Sequence, residues 1–197
     1  MNAARRARRT AIAAMLLAAS GAAIAQSPTQ PAVTLPLPDG VLSQPIAERL
    51  RPSLPLEVPV PQVSREDLVD SFDDRRETDR RHEALDIPAP RGTPVVAVDD
   101  GEVVKLFPSK PGGLTVYQFD RTRSVAYYYA HLDHYAEGLE EGRLVRRGEV
   151  LGAVGSTGNA DPAVPHLHFG VFELGPERQW WKGRPIDPLP LLIGTSR

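Results

Sequence analysis

Between residues 94 and 173 apolar positions come in short runs, separated by words rich in glycine and aspartate. Residues 94–98 (PVVAV) form one run, and Asp99-Asp100-Gly101 reads as a turn into 102–106 (EVVKL). Residues 109–113 turn the chain again into 114–119 (LTVYQF), and 120–123 turn it into 124–131 (SVAYYYAH). Leu144-Val145 leads through Arg146-Arg147-Gly148 into 149–154 (EVLGAV), and the last run is 166–173 (HLHFGVFE). β-rich runs bounded by turn residues, at roughly ten-residue spacing, predict an antiparallel sheet or sandwich. Only residues 133–141 offer a short helix-like stretch, and about 115 residues suffice for one modest core.

The pattern differs upstream. Arg5, Arg6, Arg8 and Arg9 precede an apolar stretch at 11–19 (AIAAMLLAA), and Ala23-Ile24-Ala25 is a small-x-small word before Gln26. This is the layout of a secretory signal peptide cleaved after Ala25. The apolar stretch is shorter than the roughly 20 residues that span a bilayer. Residues 26–61 hold nine of the twenty prolines, which argues against regular helix or sheet. They read as a linker with polyproline II character. Its end, with Leu50, Leu54, Leu56, Val58 and Val60, either lies along the domain surface or is part of a disordered spacer. Residues 62–81 are strongly charged and read as a lead-in loop. The expected organisation is therefore 1–25 signal peptide, 26–61 proline-rich lead and 62–197 a single domain.

Composition narrows the chemistry. The chain has no cysteine, which excludes disulfides, thiolate zinc sites, iron–sulfur clusters, a catalytic thiol and a lipidated N-terminal cysteine. The formal charge is −2. The expected signal segment carries four arginines and no acid, so its removal leaves 19 bases against 25 acids. Neither balance gives the basic footprint of a nucleic-acid binder.

Four of the five histidines stand in three short words. His82-Glu83-Ala84-Leu85-Asp86 is His-x-x-x-Asp, His166-Leu167-His168 is His-x-His, and His131 ends the aromatic run Tyr127-Tyr128-Tyr129-Ala130-His131. Side chains alternate faces along a strand, so His166 and His168 point to one side and Leu167 to the other, into the core. Two imidazoles on one face can both approach a metal, or one can bind it while the other serves a bound water. Asp86 adds a hard oxygen ligand, and two histidines with a carboxylate are a known catalytic zinc set. Spacing alone leaves open which of His166 and His168 is the ligand. It also leaves open the plain alternative of satisfied strand histidines and a surface His82.

The flanking words decide more. RRHEALDIPAPRGTPVVAVDDGEVV, YYYAHLDHY, EGRLVRRGEVLGAVGSTGNA, PHLHFGVF and WWKGRPIDPLP follow in that order. With them the sequence resembles the lysostaphin-type (LytM-type) zinc metallopeptidases that cut peptidoglycan, over roughly residues 70–190. The resemblance implies a mainly β domain of that type, a duplicated hybrid motif with a lipoyl-barrel-like look. It implies one zinc ion, with His82, Asp86 and His168 as ligands. It implies His131 and His166 as the catalytic histidines beside the metal water. Ala84 departs from the glycine usual in relatives, and residues 159–165 (NADPAVP) depart from the commoner Ser/Thr-Gly-rich loop, which touches substrate detail rather than the metal site.

The expected activity is endopeptidase cleavage of stem or cross-link peptides in the wall, with D-Ala–diaminopimelate cross-links favoured, in the periplasm or outside the cell. Peptidoglycan peptides are the expected partners, with no nucleic acid, no membrane anchor once the signal is removed, and a monomer as the working state. The alternative is a catalytically inactive regulator of the same fold that activates cell-wall amidases. Relatives of that kind usually lack one or more of the five site residues, all of which are filled here. Three further features stand outside this set. His134 is expected at the surface. Gly155-Ser156-Thr157-Gly158 is expected to be a turn bordering the groove. Trp180-Trp181 reads equally as a stacking platform or a structural plug.

Overall fold

The computed structural model describes residues 55–75 and 81–194. The signal-like segment and most of the proline-rich lead lie outside them. The described residues are mainly β, with nine strands in one antiparallel sheet: β1 (Leu85–Pro88), β2 (Pro94–Val96), β3 (Gly101–Ser109), β4 (Gly113–Asp120), β5 (Val125–Tyr135), β6 (Leu144–Val145), β7 (Val150–Val154), β8 (His166–Leu174) and β9 (Gly183–Ile186). Among the described residues one α-helix, α1 (Pro188–Ile193), and a single 3-10 turn at Arg65–Asp67 accompany the sheet.

Strand order runs β1-β8-β5-β4-β3-β6, while β7 joins β2 to β5 and β9 lies against β8. The 11-residue β5 organises the sheet. Along one edge its first half pairs with β8, ending at Ala130↔His168. Its second half leaves β8 and pairs with β7 from Leu132↔Val154 onward. The other edge pairs with β4, and there the register slips: Val116 faces Tyr129 and Leu114 faces Leu132, so Ala130 and His131 together oppose Thr115. This is a β-bulge, which bends a strand and re-aims a side chain.

Alternation along the strands builds the core. Tyr127, Tyr129, Leu132, Leu167, Phe169 and Val171 are all fully buried, and Leu167 turns inward between its two histidines as period-two pleating requires. The phenol of Tyr129 donates to Gln118 Oε1 at 2.7 Å and accepts from the Val98 amide at 3.1 Å. Gln118 in turn donates to the Asp99 carbonyl at 2.7 Å, so this polar chain crosses the core satisfied. The last residues of the proline-rich stretch are part of the packing. Leu56 and Val60 are fully buried, and the backbone bonds Leu56 N–H to Leu191 O and Glu57 N–H to Val98 O, each at 2.9 Å.

One local expectation changes. Residues 133–141 are not helical: Asp133–Tyr135 continue β5, where His134 faces Ala153 and Tyr135 faces Gly152. Strand pairing overrides the weak local preference there. The helix lies instead at α1, where prolines at two of six positions hide its pattern. Its ends are well specified, with the Asp187 carboxylate accepting the Leu189 amide at 3.0 Å, proline at the first position, and Gly194 at φ +79°, an arrangement that caps both termini. Pro88 sits in β1, which pairs only with β8; an edge strand tolerates the missing donor. No helix among the described residues is long and apolar enough to cross a membrane.

Candidate metal centre and its groove

The sheet assembles the site as a row. Asp86 on β1 faces His168 on β8, and His168 faces Ala130 on β5, one residue before His131. His166 lies two residues along β8 on the same face, opposite Pro88. His82 precedes β1 and is folded back over it.

The inner atoms of three residues converge. His82 Nε2 stands 2.9 Å from His168 Nδ1 and 3.0 Å from Asp86 Oδ1, and His168 Nδ1 stands 2.9 Å from Asp86 Oδ1. His82, Asp86 and His168 are the set of acidic and imidazole side chains among the described residues that is grouped to hold a metal ion. A tetrahedral ion bonded at about 2.0–2.1 Å spaces its ligand atoms about 3.3 Å apart, within a few tenths of this triangle. Proton counting agrees. His82 Nδ1 lies 2.9 Å from the Ser71 carbonyl, which only accepts, so that nitrogen carries the proton and Nε2 of the neutral ring presents a lone pair. The burial of Asp86 pushes its carboxyl up, but the imidazoles of His168 and His82 against it outweigh this and hold it far below the ordinary carboxylate range. With both rings neutral and the carboxylate ionised, one proton is left for three close contacts. A cation at the centre satisfies all three, so the donor set fits zinc.

The other two histidines share a pattern with His82. His131 Nδ1 donates to the Thr157 carbonyl at 2.8 Å and His166 Nδ1 to the Val164 carbonyl at 2.9 Å. In the neutral form of each ring the proton therefore sits on Nδ1 and Nε2 is an acceptor. The two rings lie 5.0 Å apart between centroids, and His131 lies 5.6 Å from His168. His166 Nε2 is 3.8 Å from Asp86 Oδ1. Burial pushes His131 down to about 4, against the opposing Thr157 carbonyl, with His168 and His166 adding to the depression.

The placement of His131 was invisible to the alternation rule. Continued from Tyr127 and Tyr129, that rule sends His131 into the core. The bulge at Ala130-His131, with His131 at φ +60° and its amide on the Gly112 carbonyl at 2.8 Å, brings it instead to the groove lined by Tyr128. A non-glycine residue held in that region is strained, and such residues gather at functional sites. Thr157 is the residue that sequence reasoning missed on the other side of this contact. Its hydroxyl donates to Leu132 O at 2.7 Å and accepts from Leu114 N–H at 2.9 Å, while its carbonyl holds His131. The two loops meet so closely here that Gly113 and Gly158, both at positive φ, leave no space for a Cβ.

All four of these histidines open into one groove of about 810 Å³, which also takes in Glu83, Asp161, Tyr128 and both tryptophans. Trp180 packs on Tyr117 and Phe107 at ring distances of 4.8 and 5.5 Å, while Trp181 is 63% exposed. Trp180 is thus anchored against the sheet, while Trp181 lies open at the groove. His134 is exposed and pairs with Asp133 at 3.1 Å.

Residues 80–188 match the profile described as Peptidase family M23. The chain belongs to that family. The L-Ala–D-Glu endopeptidase of Bacillus subtilis is 34% identical to it over 123 residues, 60% of this chain and 36% of that protein. A zinc-containing peptidase from Vibrio cholerae superposes with a TM-score of 0.51 at 26% identity, over 62% of this chain and 35% of that one. The catalytic domain of lysostaphin from Staphylococcus simulans superposes with a TM-score of 0.55 at 24% identity, over 66% of this chain and 95% of that domain, a likeness of fold. The M23 chain described here thus spans only about a third of the Bacillus relative's length.

Proposed function

We propose that this chain is an exported zinc metallopeptidase that hydrolyses peptide bonds of bacterial peptidoglycan, in stem peptides or their cross-links. The observation that carries the reading is the meeting of His82, Asp86, His168, His131 and His166 on one groove, with the Nε2 atoms of His131 and His166 left as acceptors beside the three-donor triangle. Family membership and the name of the Bacillus relative support the substrate class.

Bound by His82, Asp86 and His168, zinc would supply Lewis-acid activation of a water and of the scissile carbonyl. His131 and His166 provide the proton handling. A ring held with Nδ1–H on a backbone carbonyl cannot swing away, and its Nε2 is aimed into the groove to take a proton and return it to the departing amine. His131 is neutral at pH 7, as an acceptor must be. Once charged, it donates more strongly to the Thr157 carbonyl, which steadies the imidazolium. No His-Glu-x-x-His word is present, so the acceptors are these histidines rather than a helix-borne glutamate.

Zinc-loaded protein should release new muropeptides from purified peptidoglycan, identified by mass spectrometry, and cleavage at D-Ala–diaminopimelate cross-links is the expected product pattern. Release of no fragment from any peptidoglycan chemotype would overturn the enzyme reading. Stimulation of a wall amidase under the same conditions would then support the regulator. Export through residues 1–25 predicts a mature protein whose first residue is Gln26, which intact-mass measurement of periplasmic or secreted material checks.

A further inference from the structure

Ser71 joins the ligand word to a segment that no spacing rule connects with it. It stands 11 residues before His82 and 15 before Asp86, and it touches both. Its carbonyl accepts Nδ1–H of His82 at 2.9 Å, and its hydroxyl oxygen accepts the backbone N–H of Asp86 at 3.1 Å. The residues after it continue the contact. His82 N–H donates to Asp74 O and Glu83 N–H to Phe72 O, each at 2.9 Å, and Arg75 bridges antiparallel to Arg81. Glu83 is held at φ +56°, a conformation that a side-chain-bearing residue keeps only when its surroundings impose it. Residues 71–75 therefore form a strap along 81–83. The span matched by the family profile begins at residue 80, so Ser71 lies nine residues before it.

Each contact constrains a ligand in a different way. The carbonyl fixes the tautomer and the rotation of the His82 ring, so that Nε2 faces Asp86 and His168. The hydroxyl fixes the backbone that carries the Asp86 carboxylate. Groups that orient metal ligands in this way commonly change metal affinity by about 10–100-fold when removed.

We propose that Ser71 is the positioning residue of the metal centre, and that the 71–75 strap and zinc occupancy are coupled. The proposal rests on the metal-site part of the function proposed above and not on hydrolysis. If the strap orders the ligands, zinc must order the strap by the same factor.

The experiment uses the full mature chain with zinc alone. Ser71→Ala keeps the carbonyl on His82 and loses only the hydroxyl on the Asp86 amide, so competition against a chromogenic chelator should show it binding zinc about 10-fold more weakly than wild type, the low end of the range for such groups, and Ser71→Thr, which keeps the hydroxyl, retaining most of the affinity. Hydrogen exchange of the wild-type protein provides a second reading that needs no variant. Zinc should slow exchange at the amides of His82, Glu83 and Asp86, whose acceptors lie on the strap, and leave the β3–β4 hairpin unchanged. Equal affinity for Ser71→Ala and wild type, or no zinc effect on those three amides, overturns the proposal while leaving the peptidase reading intact. Wild-type protein that takes up no zinc removes both.

Discussion

Gly113→Ala is the sharpest perturbation of the proposed catalytic geometry, because it acts on His131 without touching it. Gly113 has φ +63°, and a Cβ built there would stand 2.1 Å from Thr157 Oγ1, 2.3 Å from its carbonyl carbon and 2.5 Å from its Cβ. Ordinary carbon contacts begin near 3.5 Å, so the Thr157 backbone must retreat by about 1 Å. That movement stretches the 2.8 Å bond between the Thr157 carbonyl and His131 Nδ1 beyond hydrogen-bonding range. The left-handed alanine costs about 1–2 kcal/mol and the overpacking about 1–3 kcal/mol, so a stability loss of about 2–5 kcal/mol is expected by urea unfolding. Catalysis should suffer separately. A misplacement of about 1 Å at a reacting group is worth about 100-fold in rate. The zinc triangle rests on β1, β8 and the 71–75 strap, so chelator competition should return wild-type affinity. Folded Gly113→Ala protein that cleaves peptidoglycan at the wild-type rate would refute the claim that Thr157 sets His131.

Other substitutions separate the roles. His131→Ala should keep zinc and lose about 100–10,000-fold in hydrolysis, the usual weight of a proton-transfer group, whereas Asp86→Ala should lose zinc and activity together; metal analysis beside the muropeptide assay distinguishes them. Leu167, fully buried between His166 and His168, should cost about 2–5 kcal/mol as Leu167→Ala, read by urea unfolding of the metal-free protein. Metal-free protein should also become less stable as pH falls from about 6.5 to about 4. Because His131 is pushed down in the folded state, the unfolded chain binds the proton first; the effect is at most about 3 kcal/mol. His131→Gln should flatten this part of the profile, and an unchanged slope counts against a buried neutral His131.

Much of this molecule is legible in local pattern. The runs at 94–98, 102–106, 114–119, 124–131, 149–154 and 166–173 contain or overlap the strands β2, β3, β4, β5, β7 and β8. Turn chemistry explains why: the Asp120 carboxylate, for example, takes the Ser124 and Val125 amides at 2.7 and 2.8 Å and closes the β4–β5 connection, a property of the residue type at that spot. β1 and β9 were not legible, since Leu85–Pro88 and Gly183–Ile186 are short edge strands with prolines, held by pairing with β8 more than by their own preference.

The sequence by itself determined that any tight transition-metal site must be built from imidazole and carboxylate, because thiols are absent, and that His166 and His168 share a face, because pleating has period two. It also carried the words that assign His82 and Asp86 with them. Only the tertiary structure decided that His131 turns away from Tyr127 and Tyr129. That turn comes from a bulge in which two residues of β5 oppose Thr115 of β4, and register between strands is not written in either strand alone. The roles of Thr157 and Ser71 likewise exist only once loops 26 and 11 residues away in sequence from the histidines they hold are brought against them. Those contacts run through backbone carbonyls, which every residue type possesses and no sequence pattern can single out.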